Sequence, residues 1–403
     1  MTTIGSTGIP LPVLAEGRGP WPPAPPSEPL AVYIHIPFCR WRCSYCDFNI
    51  YAGMQRWFGR YIAALAREIQ RFGGAAGRPQ ARTLYIGGGG PSLLPLPLLE
   101  RLFEAFHQAF RAPTDIEISM EANPGGLSLT YLEGVRSLGV NRLSLGVQSA
   151  HPEELRWLRR DHTFDAAQEA VAMARAAGFT NVNIDLIYGL PGQPLARWQA
   201  TLEAALALAP EHLSAYALTV EEGTTLHRWV REGRLPPPDP DAAAEMYEWT
   251  RERLAAAGYM HYELSNWARP GYACAHNQVY WRYEPYVGFG AGAWSFTGAT
   301  RWMNIRHPKA YIARVEAGEP PVAEVEPLDR RTQMAEMVIL GLRMVEGLLD
   351  ERFRSRFGQG LMECYGPTIA ELVTLGLAAW DGERLRLTPR GQLLGNEVFW
   401  RFL

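Results

Sequence analysis

The sequence predicts an α/β protein built on a parallel sheet, followed by a small, mainly helical unit. Six short runs rich in β-branched and apolar residues lie between residues 31 and 220, and amphipathic stretches of helical period separate them. Such alternation is typical of parallel strands joined by right-handed crossovers. From about residue 329 the pattern changes to consecutive helices and one hairpin. Periodicity alone does not distinguish an open sheet from a barrel.

The predicted strands are short, and most are followed by a glycine-rich, proline-containing or polar loop. They span 31–36, 83–87, 116–121, 142–148, 182–189 and 212–220. Predicted helices follow the strands at 60–72, 95–110, 129–139, 164–178 and 242–258. The third and fourth helices end at Gly139 and Gly178, since glycine is the usual residue just past a helix C-terminus.

Composition divides the chain into four predicted segments. Residues 1–30 are rich in proline and lack a basic and an apolar signal region, which predicts a disordered arm. Residues 31–265 form the α/β core, 266–328 an aromatic and glycine-rich segment, and 329–403 the C-terminal domain. In that domain we predict helices at 330–347, 350–358 and 364–376, a hairpin turning at Asp381-Gly382, and a last helix capped by Thr388.

Charge and hydropathy exclude several classes of function. The chain has a formal net charge of -3 and a pI near 6.3, which gives no general attraction to nucleic acid. The C-terminal helices and hairpin resemble a winged helix, but acidic and basic residues balance over 329–403, so we expect a packing or interaction domain. No apolar run is long enough for a transmembrane helix. The odd cysteine count and clustered spacing favour a reducing compartment, the cytoplasm.

Three of the five cysteines follow the first predicted strand in a C-x3-C-x2-C pattern, at Cys39, Cys43 and Cys46. Three thiolates can bind three irons of a cubane cluster and leave the fourth iron open, which is typical of a centre that binds substrate or cofactor. The alternative is a structural zinc site completed by His35, Asp47 or Cys274. Structural zinc usually takes its ligands as two separated pairs, so the cluster is favoured.

The cysteine segment YIHIPFCRWRCSYC, with GGGGP, MEANP, SLGVQS and NIDLIYGLPGQ, resembles the radical S-adenosylmethionine (SAM) superfamily. Within it, these motifs are similar to the branch that contains oxygen-independent coproporphyrinogen III oxidases and haem chaperones. The resemblance runs from about residue 31 to the C-terminus. It implies a partial (β/α)6 barrel, a [4Fe-4S] cluster, and SAM whose amino and carboxylate groups bind the open iron.

The same resemblance implies which residues hold SAM, and most of them lie at the ends of predicted strands, where such folds gather ligand-binding groups. They are Tyr33, Tyr45, Gly88, Gly89, Gly90, Glu121, Gln148, Arg160 and Asp185. The family usually has threonine where Gly90 stands, so only a backbone role carries over there. Without the resemblance, we would interpret Tyr33 and Tyr45 as core residues and Glu121 as a solvated carboxylate. Asp185, a carboxylate in an apolar strand, needs a partner or a function, and an ion pair with Arg160 is one alternative.

Two features separate the oxidases from the chaperones. The oxidases typically carry another cysteine where this chain has Phe48, and the motif H-N-x-x-Y-W at residues 276–281 marks the chaperones. His276 could ligate haem iron, with Cys274 as an alternative soft ligand. The aromatic surface beside it would consist of Tyr280, Trp281, Tyr283, Tyr286 and Phe289. The other interpretation of His276 is a hydrogen-bonded histidine in an aromatic core. In the family, the loop that corresponds to residues 288–295 often carries histidine at the position where this chain has Trp294.

The resemblance therefore favours a haem-binding chaperone over an enzyme that decarboxylates coproporphyrinogen III. It implies haem and haem-receiving proteins as partners and no nucleic acid. Contact with a membrane would be peripheral, through haem-accepting partners, and a homodimer is an open alternative.

Overall fold

The computed structural model describes residues 28–403, and its first half alternates strands and helices as predicted. Residues 1–27 of the predicted arm lie outside the described residues, and Leu30 already belongs to the first strand. The elements of this half are β1 (Leu30–Ile36), β2 (Phe38–Cys39), β3 (Tyr51–Ala52), α1 (Phe58–Ala75), β4 (Ala81–Gly88), α2 (Leu96–Ala109), β5 (Glu117–Ala122), α3 (Leu129–Ser137), β6 (Arg142–Gln148), α4 (Pro152–Trp157), α5 (Phe164–Ala176), β7 (Val182–Tyr188), α6 (Leu195–Ala207) and β8 (His212–Ala217).

A segment of mixed structure follows and completes the large sheet. Its elements are α7 (Thr225–Arg231), α8 (Pro240–Ala256), β9 (Met260–Glu263), β10 (Asn266–Ala268), α9 (Ala275–Trp281), β11 (Tyr286–Phe289), β12 (Trp294–Phe296), β13 (Thr300–Asn304), α10 (Pro308–Glu316) and β14 (Val322–Pro327). The sheet has 12 strands in the order β14-β13-β12-β11-β1-β4-β5-β6-β7-β8-β10-β9. The six predicted strands β1 and β4–β8 are neighbours and parallel, which confirms the predicted alternation.

The barrel is partial, because β1 and β8 continue the sheet with other strands. β11 pairs parallel to β1, and β10 pairs antiparallel to β8. The sheet is therefore mixed, with antiparallel ribbons added at both ends of a parallel centre. The sequence pattern did not predict these additions, since strands as short as β10 and β12 carry little periodicity.

The two faces of the parallel strands differ in chemistry. One face is apolar and packs against the helices, with members such as Ile34, Ile86 and Leu145 fully buried. The other face lines the barrel interior, and parallel register brings its polar side chains into rows. These interior residues are Tyr33, His35, Thr83, Tyr85, Glu117, Ser119, Glu121, Arg142, Ser144, Asn183, Asp185, His212, Ser214 and Tyr216. A polar interior of this kind is suited to ligand binding.

The C-terminal part forms a second hydrophobic core around a three-stranded sheet in the order β15-β17-β16. Its elements are α11 (Arg330–Gly341), β15 (Leu348–Leu349), α12 (Asp350–Phe357), α13 (Leu361–Thr374), β16 (Ala378–Trp380), β17 (Arg384–Leu387), α14 (Pro389–Leu393) and α15 (Gly395–Phe399). The predicted hairpin at Asp381-Gly382 and the cap by Thr388 are both present.

Two predicted helices of this part have different bounds. α11 ends at Gly341 instead of continuing to residue 347, because the chain then pairs with the end of β9: the Leu264 N–H donates to the Arg343 carbonyl, and the Val345 N–H donates to the Tyr262 carbonyl. α13 begins earlier than predicted, at Leu361, and is kinked at Tyr365, two residues before Pro367. Among residues 28–403, no helix is long and apolar enough to cross a membrane.

Candidate metal and cofactor site

The cysteine loop lies at the C-terminal end of the barrel strands, between β2 and β3. Cys39, Cys43 and Cys46 are all free thiols. Burial, together with the neighbouring thiols of Cys46 and Cys43, raises the pKa of Cys39 to about 12. Burial also raises the pKa of Cys46 to about 11, although its bond to the Phe48 backbone opposes the shift. The thiols are thus close enough to influence one another, and binding iron would displace their protons.

The glycine loop after β4 lies directly against the cysteine loop. A methyl group added at Gly89 would lie 2.5 Å from the Phe38 carbonyl oxygen and 3.1 Å from Cys39 Sγ. Gly88 has a φ of +118°, which favours glycine, and its backbone N–H donates to Glu121 Oε2 at 2.9 Å. Glycine therefore permits a close approach between the two loops that a larger residue would prevent.

Glu121 sits on the interior face of β5 beside the glycine loop. Its Oε1 accepts from the Tyr85 hydroxyl at 2.9 Å, while Oε2 takes the Gly88 N–H. Burial raises the pKa of Glu121, and these two donors partly offset that shift. Glu121 is held by two hydrogen-bond donors of the protein, so it is not the solvated carboxylate of the alternative interpretation. Its remaining lone pairs can accept from a ligand hydroxyl.

Arg160 connects the cysteine loop with the ends of two strands. Its Nη1 lies 3.5 Å from Cys43 Sγ, and its Nη2 donates to Asn123 Oδ1 at 2.5 Å and to the Gly146 carbonyl at 2.7 Å. Asn123 follows β5 directly, and the sequence interpretation missed it. Its position just past a strand end, in the motif MEANP, was the available signal.

Asp185 has partners other than Arg160, with which the sequence offered an ion pair as one alternative. Its carboxylate accepts from Ser144 Oγ at 2.9 Å and from Asn183 Nδ2 at 2.8 Å. Asn183 Oδ1 in turn accepts from Ser214 and lies 2.6 Å from His212 Nδ1. Within the described residues no ion pair joins Asp185 to Arg160, and hydrogen bonds inside the barrel hold the half-buried Asp185 side chain instead.

The remaining predicted SAM residues lie around the same end of the barrel. Gln148 ends β6 with a φ of +70°, next to an irregularity in the β6–β7 pairing, and a non-glycine residue is held there only at a cost. Tyr45 packs with Leu158 and Leu190, and the charge of Arg160 acts on it. Tyr33 bonds His35 Nδ1 at 2.9 Å and stacks on Tyr85.

His276 lies deeper in the barrel than the cysteine loop, with its ring centroid 5.1 Å from that of Tyr85 and 6.4 Å from that of Tyr33. It lies on α9 and is fully buried, with Nδ1 2.8 Å from Thr83 Oγ1 and Nε2 2.8 Å from the Tyr280 hydroxyl. Burial and the nearby charge of Arg142 lower the pKa of His276 to about 3, so the imidazole is neutral. This is the hydrogen-bonded histidine in an aromatic setting that was the alternative interpretation. As a haem ligand it would have to give up one of these bonds.

α9 closes the floor of the barrel and is anchored by Glu117. The Glu117 carboxylate accepts from the backbone N–H groups of Ala275 and His276, at 2.9 and 3.2 Å, and from Cys274 Sγ at 3.4 Å. Glu117 begins β5 and Glu121 lies four residues further, so Cys274 is separated from the cysteine loop by about 13 Å of strand. Cys274 is thus not placed to complete a zinc site.

Both ring nitrogens of His35, another ligand of the zinc alternative, also have hydrogen-bond partners. Its Nδ1 faces the Tyr33 hydroxyl, and its Nε2 faces the Asn49 carbonyl at 3.0 Å. In residues 28–403, no three His, Cys, Asp or Glu side chains converge closely enough to hold a single metal ion. Three adjacent free thiols, a glycine loop that touches Cys39 and a guanidinium at Cys43 are the groups that would receive an iron-sulfur cluster.

The predicted aromatic surface beside His276 forms only in part, through Tyr280 and Tyr286, whose ring centroids lie 4.7 Å apart. Tyr280 bonds His276, whereas Phe289 packs in the main core against Phe72 and Tyr283 packs in the C-terminal core against Phe296. Phe289 and Tyr283 therefore belong to two different cores, because β11 carries Phe289 to the outer face of the sheet.

Comparison with known proteins agrees with this arrangement. Residues 33–205 match the model of the radical SAM superfamily, and residues 328–394 match that of the HemN C-terminal domain. A solved structure of coproporphyrinogen III oxidase (HemN) from Escherichia coli is 27% identical, with a TM-score of 0.83, and the match covers 94% of this chain and 91% of that one. The fold and the cysteine loop thus define a radical SAM protein, a class that implies a [4Fe-4S] cluster and SAM.

Relatives at higher identity narrow the assignment. Heme chaperone HemW of Mycobacterium tuberculosis is 40% identical over 392 residues, covering 96% of this chain and 97% of that protein. Heme chaperone HemW of Bacillus subtilis is 37% identical, covering 93% and 99%, and that of Escherichia coli is 38% identical, covering 93% and 98%. The chain belongs to the HemW family.

Proposed function

We propose that this protein is a radical SAM haem chaperone, which binds haem and delivers it to haem-receiving proteins in the cytoplasm. The observation that carries the proposal is the near-complete match to heme chaperones named HemW, at up to 40% identity. Phe48 supports it, since the oxidases typically have cysteine there. We propose the domains 31–265, 266–328 and 329–403 as the working units of this function.

In this proposal the thiolates of Cys39, Cys43 and Cys46 hold a [4Fe-4S] cluster and leave one iron for SAM. When bound and reduced, the cluster would supply the electron that cleaves SAM to methionine and a 5'-deoxyadenosyl radical. Gly88, Gly89 and Gly90 offer backbone groups to the SAM ammonium.

The polar side chains of the site then orient SAM. Glu121 would accept from the ribose hydroxyls with the lone pairs that Tyr85 and Gly88 leave free. Arg160, beside Cys43, would place a positive charge near the SAM carboxylate. Gln148 and Asp185 would complete the polar wall, and Tyr33 and Tyr45 its apolar part.

Cluster and SAM binding are tested by anaerobic reconstitution. We expect about four irons and four sulfides per chain, and a reduced-cluster EPR signal that shifts when SAM is added. One zinc per chain without sulfide would instead support the structural zinc site.

Haem binding is tested by titration with hemin, followed by the Soret band. His276 is the proposed ligand, and it would exchange its bond to Thr83 or Tyr280 for iron. His276→Ala should then release haem or shift the band, while Tyr280→Phe, which frees Nε2, should retain haem. An unchanged spectrum in His276→Ala would assign the ligand to another residue.

The oxidase alternative is tested directly with substrate. Anaerobic incubation with coproporphyrinogen III, SAM and a low-potential reductant should leave the substrate unconverted. Formation of protoporphyrinogen IX over several turnovers would overturn the chaperone proposal.

A further inference from the structure

Arg142, the first residue of β6, is a buried charge of the barrel interior that the SAM site does not use. It is 2% exposed. Its Nε has no hydrogen-bond partner, and none of the ion pairs found within residues 28–403 includes it. A guanidinium removed from water in this way is costly unless an anion pairs with it, so Arg142 is a candidate group for binding an anionic ligand.

Glu117 is a carboxylate whose charge acts on Arg142, but its oxygens are used by other donors. A carboxylate offers about four acceptor positions. Those of Glu117 accept from the backbone N–H groups of Ala275 and His276, from Cys274 Sγ and from Ser119 Oγ. Glu117 therefore influences Arg142 across a distance and leaves the donor fork of the guanidinium for a different carboxylate.

The other groups that feel the charge of Arg142 are neutral and polar. Burial, and after it the charge of Arg142, lowers the pKa of His212 and of His276, so both imidazoles are uncharged. The same charge acts on Tyr85 and Tyr262, which carry hydroxyl groups into the interior. Arg142 is thus a single cation set among neutral hydrogen-bonding groups, an environment suited to a polar, anionic part of a ligand.

Strand register places Arg142 one row below the residues proposed to hold SAM. The row of Arg142 also contains Tyr33, Tyr85 and Ser119. Glu121 pairs with Ser144, two residues after Arg142 on β6, so the two rows are about 7 Å of strand apart. Tyr33 and Tyr85 are half-buried although the barrel surrounds them, so side-chain packing does not close the interior at this depth. A ligand next to SAM could therefore reach Arg142.

We propose that Arg142 binds the carboxylate of a ligand that occupies the barrel interior next to SAM. Its planar guanidinium can hold both carboxylate oxygens at once. A carboxylate carries one negative charge, whereas a phosphate dianion would be repelled more strongly by Glu117, Glu121 and Asp185 of the same interior. The carboxylate is either a propionate of haem or part of a small organic acid. Its haem source rests on the haem binding of the proposed function.

The porphyrin arm of the test compares two forms of one ligand on the reconstituted full chain. Hemin carries free propionates, and hemin dimethyl ester is the same porphyrin with both carboxylates blocked. The dissociation constants of both are measured from the Soret band for the wild type, Arg142→Gln and Arg142→Lys. The matched control is Arg301→Gln, which removes a half-buried guanidinium on β13 that pairs with Glu326 and Glu336, away from the six parallel strands.

We expect the wild type to bind hemin at least tenfold more tightly than the ester, and Arg142→Gln to bind the two with similar affinity. The control should keep the wild-type preference. Arg142→Lys retains the charge without the fork, so it should keep only part of the preference. If Arg142 served the fold alone, as a counter-charge for Glu117, its substitution would change the affinities for hemin and for the ester by the same factor.

The organic-acid arm uses propionate without porphyrin and follows the thermal unfolding midpoint. If a small acid is the source, rising propionate concentration should raise the midpoint of the wild type and the control but not that of Arg142→Gln. A wild type that binds no hemin would contradict the proposed function, and the propionate arm would then decide about Arg142 alone.

The proposal is overturned if neither arm shows a carboxylate response of the wild type that Arg142→Gln loses. Should Arg142→Gln fail to fold, Arg142→Lys takes its place, and a lysine variant with the full wild-type response in both arms would equally overturn it.

Discussion

At the residue scale, the site depends on small groups of side chains with defined partners. Glu121 is held between a tyrosine hydroxyl and a backbone N–H, and Arg160 spans the cysteine loop and two strand ends. In both cases the protein has prearranged a charged group before any ligand arrives, which lowers the cost of binding.

Glu121→Gln should weaken SAM binding at least tenfold, which corresponds to about 1.4 kcal/mol. The amide loses one acceptor oxygen, and its NH2 group faces either Tyr85 or Gly88, so the ribose contact is no longer available. SAM affinity is measured by calorimetry on the reconstituted protein. Cluster content should stay at the wild-type level. If SAM affinity is retained while the protein unfolds more easily, Glu121 supports the fold and not the ligand.

Gly89→Ala should reduce cluster loading, because the added methyl would meet the Phe38 carbonyl oxygen at 2.5 Å and push against Cys39. The iron content after reconstitution measures this effect. Gly74→Ala is the matched control, since nothing lies within 4 Å of a methyl group there. Equal iron content in both variants would show that the two loops do not depend on close contact.

At the element scale, α9 is a short helix whose place depends on one carboxylate. Glu117 binds two of its first backbone N–H groups, and the imidazole of His276 fixes its inner side to Thr83 of β4. Seven residues are too few for an independent helix, so tertiary contacts must stabilise it.

Glu117→Ala should loosen α9 specifically. It leaves two N–H groups and one thiol without their acceptor, at a cost of about 1–3 kcal/mol. Hydrogen exchange should rise in residues 275–281 and stay unchanged in α5. If exchange in residues 275–281 rises no more than exchange in α5, then α9 is held mainly by its side-chain packing.

Much of the element order could be predicted from the sequence, and the reason is the strong periodicity of the central units. β1 and β4–β8 alternate with amphipathic helices, and Gly139 and Gly178 marked two helix ends correctly. Short strands such as β10 and β12 were missed, since their sheet position depends on tertiary pairing. The polar interior was also missed. Asp185 stood out as a lone charge, although Asn183 and Ser144 share its face.

The site was only partly predictable for the same reason. Residues next to glycine loops and strand ends could be located, because parallel strands bring their C-terminal ends together. The contact of Arg160 with Cys43 and the depth of His276 depend on residues more than a hundred positions apart, which no local pattern contains.

At the scale of the whole molecule, a buried network joins the added strands to the barrel. Glu68 on α1 accepts from the Gly290 N–H at 2.9 Å, from Asn304 Nδ2 at 2.6 Å and from the Tyr311 hydroxyl. One side chain thus ties together residues from β13, α10 and the loop after β11.

The stability of the molecule should therefore depend on pH through Glu68. Burial raises its pKa to about 7 from 4.5 in the unfolded chain. A raised carboxyl pKa means that the folded state holds its proton more tightly, so the stabilising contribution of Glu68 is fully present below pH 4.5 and is lost as the pH rises to about 7. The loss from this group is about 3 kcal/mol.

Denaturant unfolding of the wild type and Glu68→Gln between pH 5 and pH 8 measures this contribution. The variant cannot ionise, so the difference between the two unfolding free energies should change with pH only up to about pH 7. A difference that is constant over the whole range would show that Glu68 titrates normally.

The position of β1 has a consequence for how the chain is made. This first strand lies between β4 and β11, and Ile34 pairs with Phe289, which is synthesised 255 residues later. At a translation rate of about 5–20 residues per second, β11 is synthesised about 13–50 s after β1, and until then one edge of β1 has no partner strand. The cysteine loop leaves from this same strand, so its supporting sheet is completed only when most of the polypeptide has left the ribosome. We therefore expect the cluster to be inserted late, after the ribosome has translated β11.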